Sequence, residues 1–172
     1  MREVFLISEA TLKSNSVINN NVDSSYILPA ISFAQDSGLQ PLIGTQLYKK
    51  LQNLIADGDI QKEEFSEYKL LLDEYITPYL INKVTADIQL PLAYKLRNQG
   101  VVQNVNENTI QTPMKDAQYL IEFYENRAKF YANRLSDFLI ANSTNYPEYN
   151  SVNSCADMPS DKHAYKTNIY LG

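Results

Sequence analysis

Apolar residues recur at intervals of three and four along most of the first 142 residues, which is the spacing of amphipathic α-helices. The clearest stripe follows Thr112 and Pro113, a cap residue and a proline suited to the first helical position. Its members alternate in steps of four and three: Ala117, Ile121, Tyr124, Ala128, Tyr131, Leu135 and Phe138. This heptad pattern occurs both in free coiled coils and in bundles. We interpret it as the core stripe of a helix in a bundle.

A shorter stripe follows Asp23, a residue type that favours the N-cap of a helix. Its apolar members are Ile27, Ala30, Ile31 and Ala34. Pro29 lacks a backbone N–H and is tolerated only in the first turn of a helix or at a kink. The sequence therefore does not decide whether this helix begins at Asp23 or later, closer to Pro29. Gly38 predicts where it ends.

Two further helical patterns follow. The first has an apolar stripe that ends before Gly58: Ile43, Leu47, Leu51 and Leu54. The second covers about residues 62–96 and contains Pro78 and Pro91. Each proline removes a backbone donor and clashes with the preceding turn. We therefore expect a kink or break near Thr77 and another near Leu90, giving two or three segments rather than one rod.

Residues 100–112 predict a β-hairpin between two helices. Its strands are residues 101–103 and 109–111, joined by a turn at 104–108 that contains three asparagines. An isolated two-stranded hairpin is barely stable in water, so it needs further support. The sequence leaves open whether its own helices or another molecule provides that support.

Both ends of the chain predict extended arms. Residues 3–7 are mostly apolar and predict a short strand or an extended arm, and residues 13–23 predict a polar loop. From residue 143 the composition turns polar without helical period, yet the chain finishes on Ile169, Tyr170 and Leu171. We predict a mainly α protein: a bundle of four to five helices over 1–142 with an inserted β-hairpin at 100–112, an N-terminal arm, and an extended C-terminal arm over 143–172. Truncation after Asn142 should then change partner binding more than thermal stability.

Charge and composition exclude some functions. The net charge is −5, from 15 basic and 20 acidic residues, and no basic run is present. A protein that wraps DNA needs a basic surface, so that class is not expected. The apolar run at 4–7 is too short for a signal peptide or a membrane span, and we predict no membrane association.

The sequence predicts no catalytic, cofactor or metal site. The single histidine, His163, and the single cysteine, Cys155, lie in the polar C-terminal region. One of each cannot form a zinc site unaided, and a Cys–His nucleophilic pair would need a rigid scaffold. The five glycines do not have the spacing of a phosphate-binding loop. An enzyme is therefore the least favoured interpretation.

The region from Leu6 to Ile55 resembles the N-terminal half of tailed-phage head–tail connector proteins, most closely the neck ring proteins of crAss-like bacteriophages. The resemblance depends on the pair Ala34-Gln35, followed by "LIGTQLYKKL" at residues 42–51. The long helices with an intervening hairpin at 62–142 are similar to the layout of the same family.

The resemblance implies a structural virion protein, assembled in the host cytoplasm and located at the head–tail junction. Such proteins form a ring, usually of twelve copies, below the portal. The ring extends the DNA channel without specific DNA binding and contacts the portal and other neck or tail proteins. The alternative is a helical protein–protein interaction module unrelated to virions.

Hairpins and terminal arms in that family commonly contact neighbouring subunits or rings. We therefore expect two groups of contact residues, one in the hairpin and one in the C-terminal arm. They are Val101, Val102, Gln103, Thr109, Ile110 and Gln111, and Tyr165, Ile169, Tyr170 and Leu171.

Overall fold

A computed structural model of the chain describes residues 4–97, 100–103 and 114–161. Within these residues the protein is mainly helical, as the sequence predicts. The α-helices are α1 Glu9–Asn15, α2 Ser24–Phe33, α3 Gln40–Ile43, α4 Thr45–Ala56, α5 Ser66–Leu70, α6 Thr77–Asp87, α7 Gln89–Ala93 and α8 Met114–Ala141. Two π-helical segments, Ala34–Leu39 and Leu71–Ile76, join α2 to α3 and α5 to α6.

Helix α2 begins directly after Asp23, whose carboxylate accepts a hydrogen bond of 2.8 Å from the Ser25 N–H. It continues through Pro29, and the chain stays helical through Gly38 to Ile43. The predicted end at Gly38 is therefore wrong. A Cβ at Gly38 would meet the Tyr79 hydroxyl, so a larger residue there would require the Tyr79 side chain to shift.

Of the two predicted kinks or breaks, the one near Thr77 is a change from π-helix to α-helix without interruption of the helical backbone, and the one near Leu90 is a turn at Ile88, between α6 and α7. The π-helical segment ends at Ile76, and Pro78 lies in the first turn of α6. Pro78 has no N–H to donate to the Glu74 carbonyl four residues earlier, and this carbonyl accepts a 3.4 Å hydrogen bond from the Arg134 guanidinium. Helix α6 ends at Asp87, and Pro91 lies inside the short α7. Another expectation fails: residues 13–15, predicted as loop, belong to α1, whose N-cap Ser8 accepts a hydrogen bond from Thr11.

The core lies where α8 packs along α6 and the adjoining π-helical segment, and where α2 packs against α6. The heptad stripe is confirmed as the core-facing side of α8 from Tyr124 onward. Tyr124, Ala128 and Leu135 are buried, and Ile121 is only partly buried. The small side chain of Ala128 allows α6 and α8 to approach each other closely.

The strand pairing differs from the prediction. Strands β1, Tyr94–Arg97, and β2, Gly100–Gln103, pair antiparallel, with Tyr94 opposite Gln103. The inserted hairpin at 100–112 is not supported, since β2 pairs with the segment before it. Helix α7 ends at Ala93, and the chain is already extended at Tyr94. The predicted second strand, 109–111, lies outside the described residues.

The chain after α8 folds back onto its own body. We call residues 143–161 the strap. Tyr146 and Tyr149 of the strap are buried in the core, and the ring of Tyr146 lies edge-on to that of Tyr68 with centroids 5.5 Å apart. The Tyr146 hydroxyl donates a 3.0 Å hydrogen bond to the Glu67 carbonyl. Burial, with a smaller contribution from the nearby Glu67 carboxylate, raises the pKa of Tyr146 to about 12.

Candidate interaction surface

Helix α8 has a second apolar side, which faces solvent. We call it the aromatic face; it consists of Tyr119, Leu120, Phe123 and Phe130. Tyr119, Phe123 and Phe130 are 71%, 52% and 64% exposed. At 100° per residue these three positions lie almost opposite the buried Ala128 and Leu135. The helix thus packs one side in the core and presents aromatic rings on the other.

Arg127 lies within the aromatic face, and its guanidinium group stacks over two rings: that of Phe123 in this face and that of the buried Tyr124. The guanidinium carbon is 5.6 Å from the centre of the Phe123 ring and 5.9 Å from that of Tyr124. These distances permit cation–π attraction. A shallow depression of about 320 Å³ separates Phe123 from Phe130 and is bordered by Arg127 and Tyr131. Aromatic and arginine side chains are the residue types enriched in protein–protein contacts.

A buried glutamine holds the N-terminal segment, residues 4–7, against the body. Gln35 is 1% exposed. Its side-chain oxygen accepts a 2.6 Å hydrogen bond from the Leu6 N–H, and its amide nitrogen donates to the Val4 carbonyl at 3.2 Å. The Tyr48 hydroxyl lies 3.4 Å from that nitrogen and donates to Asp36 at 2.8 Å. Gln35 therefore provides hydrogen-bond partners for two backbone groups of the N-terminal segment, as a neighbouring strand would.

The start of α4 holds the strap in a similar way. The Thr45 N–H donates to the Met158 carbonyl at 3.0 Å, and the Met158 N–H donates to the Thr45 hydroxyl at 2.9 Å. Gly44 has φ +79°, and a Cβ there would lie 3.0 Å from the Ser160 nitrogen. The strap ends with the Asp161 N–H donating to the Pro41 carbonyl at 2.8 Å.

Asp157 ties the strap to the side of α4. Its carboxylate accepts hydrogen bonds from the Gln46 amide at 2.6 Å and from the Asn153 and Ser154 N–H groups at 3.1 and 3.0 Å. The Lys49 ammonium lies 3.4 Å away. The hydrogen bond from Gln46, followed by those from the backbone, lowers the pKa of Asp157. The carboxylate therefore stays ionised and bound at neutral pH.

A groove of about 1000 Å³ lies between the N-terminal segment and α4. Phe5, Ile7, Ile55 and Ala56 supply its apolar lining. Its polar lining residues include Glu9, Asp36, Tyr48, Lys49, Gln52 and Asn53. Gln35, the residue that holds the N-terminal segment, lines the same groove.

A family model matches residues 39–158, well over half of the chain; the family is described as one of unknown function, DUF6712. The chain belongs to the DUF6712 family. No curated protein and no solved structure matches it. The region shared with the DUF6712 family begins at α3 and includes both sides of the contact between Thr45 and Met158.

The structure describes only part of the contact residues predicted for this DUF6712 protein. Val101, Val102 and Gln103 form β2, where Leu96 lies opposite Val101 and Lys95 opposite Val102. The others lie outside the described residues: Thr109, Ile110, Gln111, Tyr165, Ile169, Tyr170 and Leu171.

The aromatic face was not predicted from the sequence, because only the heptad stripe of α8 was considered. Tyr119, Phe123 and Phe130 form a second stripe at the same helical period. Among the described residues, no helix is long and apolar enough to span a membrane. The same residues contain no group of three or more His, Cys, Asp or Glu side chains placed to hold a metal ion.

Proposed function

We propose that this DUF6712 protein is a structural subunit of a bacteriophage neck, forming a ring below the portal that extends the DNA channel and joins head to tail. It acts by binding neighbouring proteins and carries out no chemistry. DNA passes through the ring without specific contacts. The resemblance of residues 6–55 to connector proteins supports this choice among binding functions.

The observation that carries the proposal is the aromatic face of α8. Burying one phenylalanine side chain contributes about 1.5–3 kcal/mol, so Phe123 and Phe130 offer a large gain to any protein that covers them. A helix with apolar sides in opposite directions suits a subunit that packs internally on one side and against a neighbour on the other.

The motifs that carry the resemblance also have a structural role that suits a ring subunit. Gln35 of the "AQ" pair holds the N-terminal segment, and Gly44, Thr45 and Gln46 of "LIGTQ" hold the strap. Both terminal regions are thereby anchored at defined points on the body. Fixed exit points favour reproducible contacts between copies, because less conformational entropy is lost when they form.

The test is assembly of the full-length chain with the portal protein of the same phage, measured by mass photometry. The wild type should add to the portal as a closed ring. The variant F123S/F130S should need at least tenfold higher concentration to do so, because it loses the apolar contacts of the aromatic face. The matched control is Phe33→Ser, since Phe33 is similarly exposed on α2 at 60%. Normal assembly of F123S/F130S would contradict the proposal.

The same experiment separates a neck ring from a helical interaction module unrelated to virions. Such a module would also use the aromatic face, but it would bind its partner in small complexes and would not add to the portal. Failure of the wild type to bind the portal, with the aromatic face still required for another complex, would favour the module.

A further inference from the structure

We infer that a pocket beside the aromatic face binds a carboxylate, the side chain of an aspartate or glutamate in the protein that covers this face. The pocket has a volume of about 400 Å³, and its polar lining includes Tyr79, Lys83, Glu125, Asn126 and Lys129. We call it the Tyr79 pocket. The inference rests on the proposed function, because the partner at the aromatic face supplies the carboxylate.

A buried tyrosine hydroxyl without a partner lies in this pocket. Tyr79 is 5% exposed, yet its hydroxyl forms no hydrogen bond with any of the residues that the structure describes. The hydroxyl lies against Gly38, which also lines the pocket and whose missing Cβ leaves the space open. Burial, followed by the Asp87 carboxylate, raises the pKa of Tyr79, so the hydroxyl stays protonated. It can therefore donate to an acceptor that a ligand provides.

The other polar groups around the hydroxyl are mainly donors. The Lys83 Cε lies 3.8 Å from the position of a Cβ at Gly38, which places this side chain next to the hydroxyl. The Lys83 ammonium bonds Asp87 at 2.8 Å and has two further N–H donors. On the α8 side, Asn126 offers an amide, and Lys129 has no ion pair within the described parts of the chain.

This set of donors selects a carboxylate among possible ligands. A carboxylate only accepts hydrogen bonds, and its two oxygens can take several donors at once. Bonds to it from an ammonium are charge-assisted and roughly twice as strong as neutral ones. Glu125 is the one carboxylate in the described lining, and it is exposed at the pocket rim. Asp87 does not line the pocket, and its ion pair holds the Lys83 side chain in place.

The position of the pocket indicates that the carboxylate belongs to a protein. Asn126 lines both the Tyr79 pocket and the depression between Phe123 and Phe130. A protein that covers the aromatic face therefore reaches the mouth of the pocket with its neighbouring side chains. An apolar contact beside one charged, hydrogen-bonded anchor is a common arrangement in protein interfaces.

Acetate titration of the full-length chain, followed by two-dimensional amide NMR, tests the chemistry of the pocket. Sodium chloride at the same ionic strength is the control salt. Acetate should cause saturable shifts of the Gly38, Lys83 and Asn126 amides, and chloride should not. Tyr79→Phe should weaken acetate binding by about tenfold, the effect of losing one hydrogen bond to a charged group. An absence of saturable shifts, or equal binding by Tyr79→Phe, would overturn the inference.

The matched control is Tyr146→Phe, a second buried tyrosine whose hydroxyl bonds the Glu67 carbonyl. Tyr146→Phe should lower the urea midpoint and leave acetate binding unchanged. Tyr79→Phe should show the reverse, because its hydroxyl has no partner to lose within the described chain. A drop in the midpoint for Tyr79→Phe, with acetate binding retained, would show that the hydroxyl serves the fold.

Carbodiimide crosslinking of the portal-bound protein identifies the source of the carboxylate. The reagent joins a lysine amine to a carboxylate as an amide and takes up the released water as a urea. Mass spectrometry should find Lys129 linked to an aspartate or glutamate of a neighbouring protein. Lys129→Arg keeps the charge, so it should assemble normally and lose the link. Linkage of Lys129 to Glu125 of its own helix alone, or no linkage, would overturn a protein side chain as the ligand.

The outcomes distinguish this inference from the proposed function. Rings on the portal without acetate binding or a Lys129 link would leave the neck function intact and contradict the carboxylate site. Acetate binding that requires Tyr79, in a chain that does not add to the portal, would keep the site and contradict the neck ring.

Discussion

A few polar side chains and glycines decide how the ends of this chain are arranged. Gln35 is buried because its amide replaces a strand partner for Val4 and Leu6. Gly38 lies against the Tyr79 hydroxyl and does not end a helix, so a larger residue there would displace the Tyr79 side chain. From sequence alone both residues were noticed, but their roles depend on partners 31 and 41 positions away, respectively, which no local pattern reveals.

The two glycines with positive φ give a prediction at the residue scale. Gly44 and Gly58 have φ of +79° and +76°. Gly58 is in the left-handed αL region, so Gly58→Ala should cost about 1–2 kcal/mol of unfolding free energy from backbone strain. Gly44, with ψ 157°, lies in a region that is essentially restricted to glycine, where strain costs about 1–3 kcal/mol. Gly44→Ala should cost more than Gly58→Ala, because its Cβ also meets the Ser160 backbone, whereas no atom lies within 4 Å of a Cβ at Gly58.

Chemical denaturation gives the two free energies, and hydrogen exchange shows where the difference arises. In G44A, the Met158 and Asp161 amides should exchange faster, since Met158 bonds to Thr45, next to Gly44, and Asp161 bonds to Pro41, three residues before it. In G58A, the same amides should keep their protection. Equal destabilisation with unchanged exchange in both variants would show that the strap does not depend on Gly44.

At the scale of elements, sequence reasoning succeeded where a single period determined the answer. The heptad from Tyr124 to Leu135 located the core side of α8, and Pro78 located the start of α6. It failed where the structure depends on which distant segment of the chain pairs or packs with the pattern. A strand pattern at 101–103 does not say which segment pairs with it, and the strap buries two tyrosines within a polar segment that has no period.

The strap reverses one expectation drawn from the sequence. Truncation after Asn142 was expected to spare thermal stability, yet it would remove the buried Tyr146 and Tyr149 from the core. Tyr146→Ala should cost about 3–5 kcal/mol of unfolding free energy, as for other large aromatic side chains in cores. Tyr146→Phe should cost about 1 kcal/mol, the value of the hydrogen bond to the Glu67 carbonyl.

The matched control for this element is Tyr119→Ala on the exposed aromatic face, which should change the unfolding free energy by less than about 0.5 kcal/mol. Urea denaturation of the three variants measures all of these values. If Tyr146→Ala were as mild as Tyr119→Ala, the strap would not be part of the folded core.

At the scale of the whole molecule, packing and binding are assigned to different surfaces. The core uses one side of α8, the motifs at Gln35 and Gly44–Gln46 hold the terminal regions, and the aromatic face and the groove remain accessible. The DUF6712 match covers the part of the chain that anchors the strap, so we expect that anchoring to be a property of the family.

The most direct test of a neck function is an electron cryo-microscopy map of the particle neck at a resolution that shows side chains. The account predicts a closed ring of this chain below the portal, with Phe123 and Phe130 of each copy covered by a neighbouring protein. A complete map of the neck in which this chain is missing would contradict the account. A ring whose aromatic faces remain open to solvent would contradict the role assigned to α8.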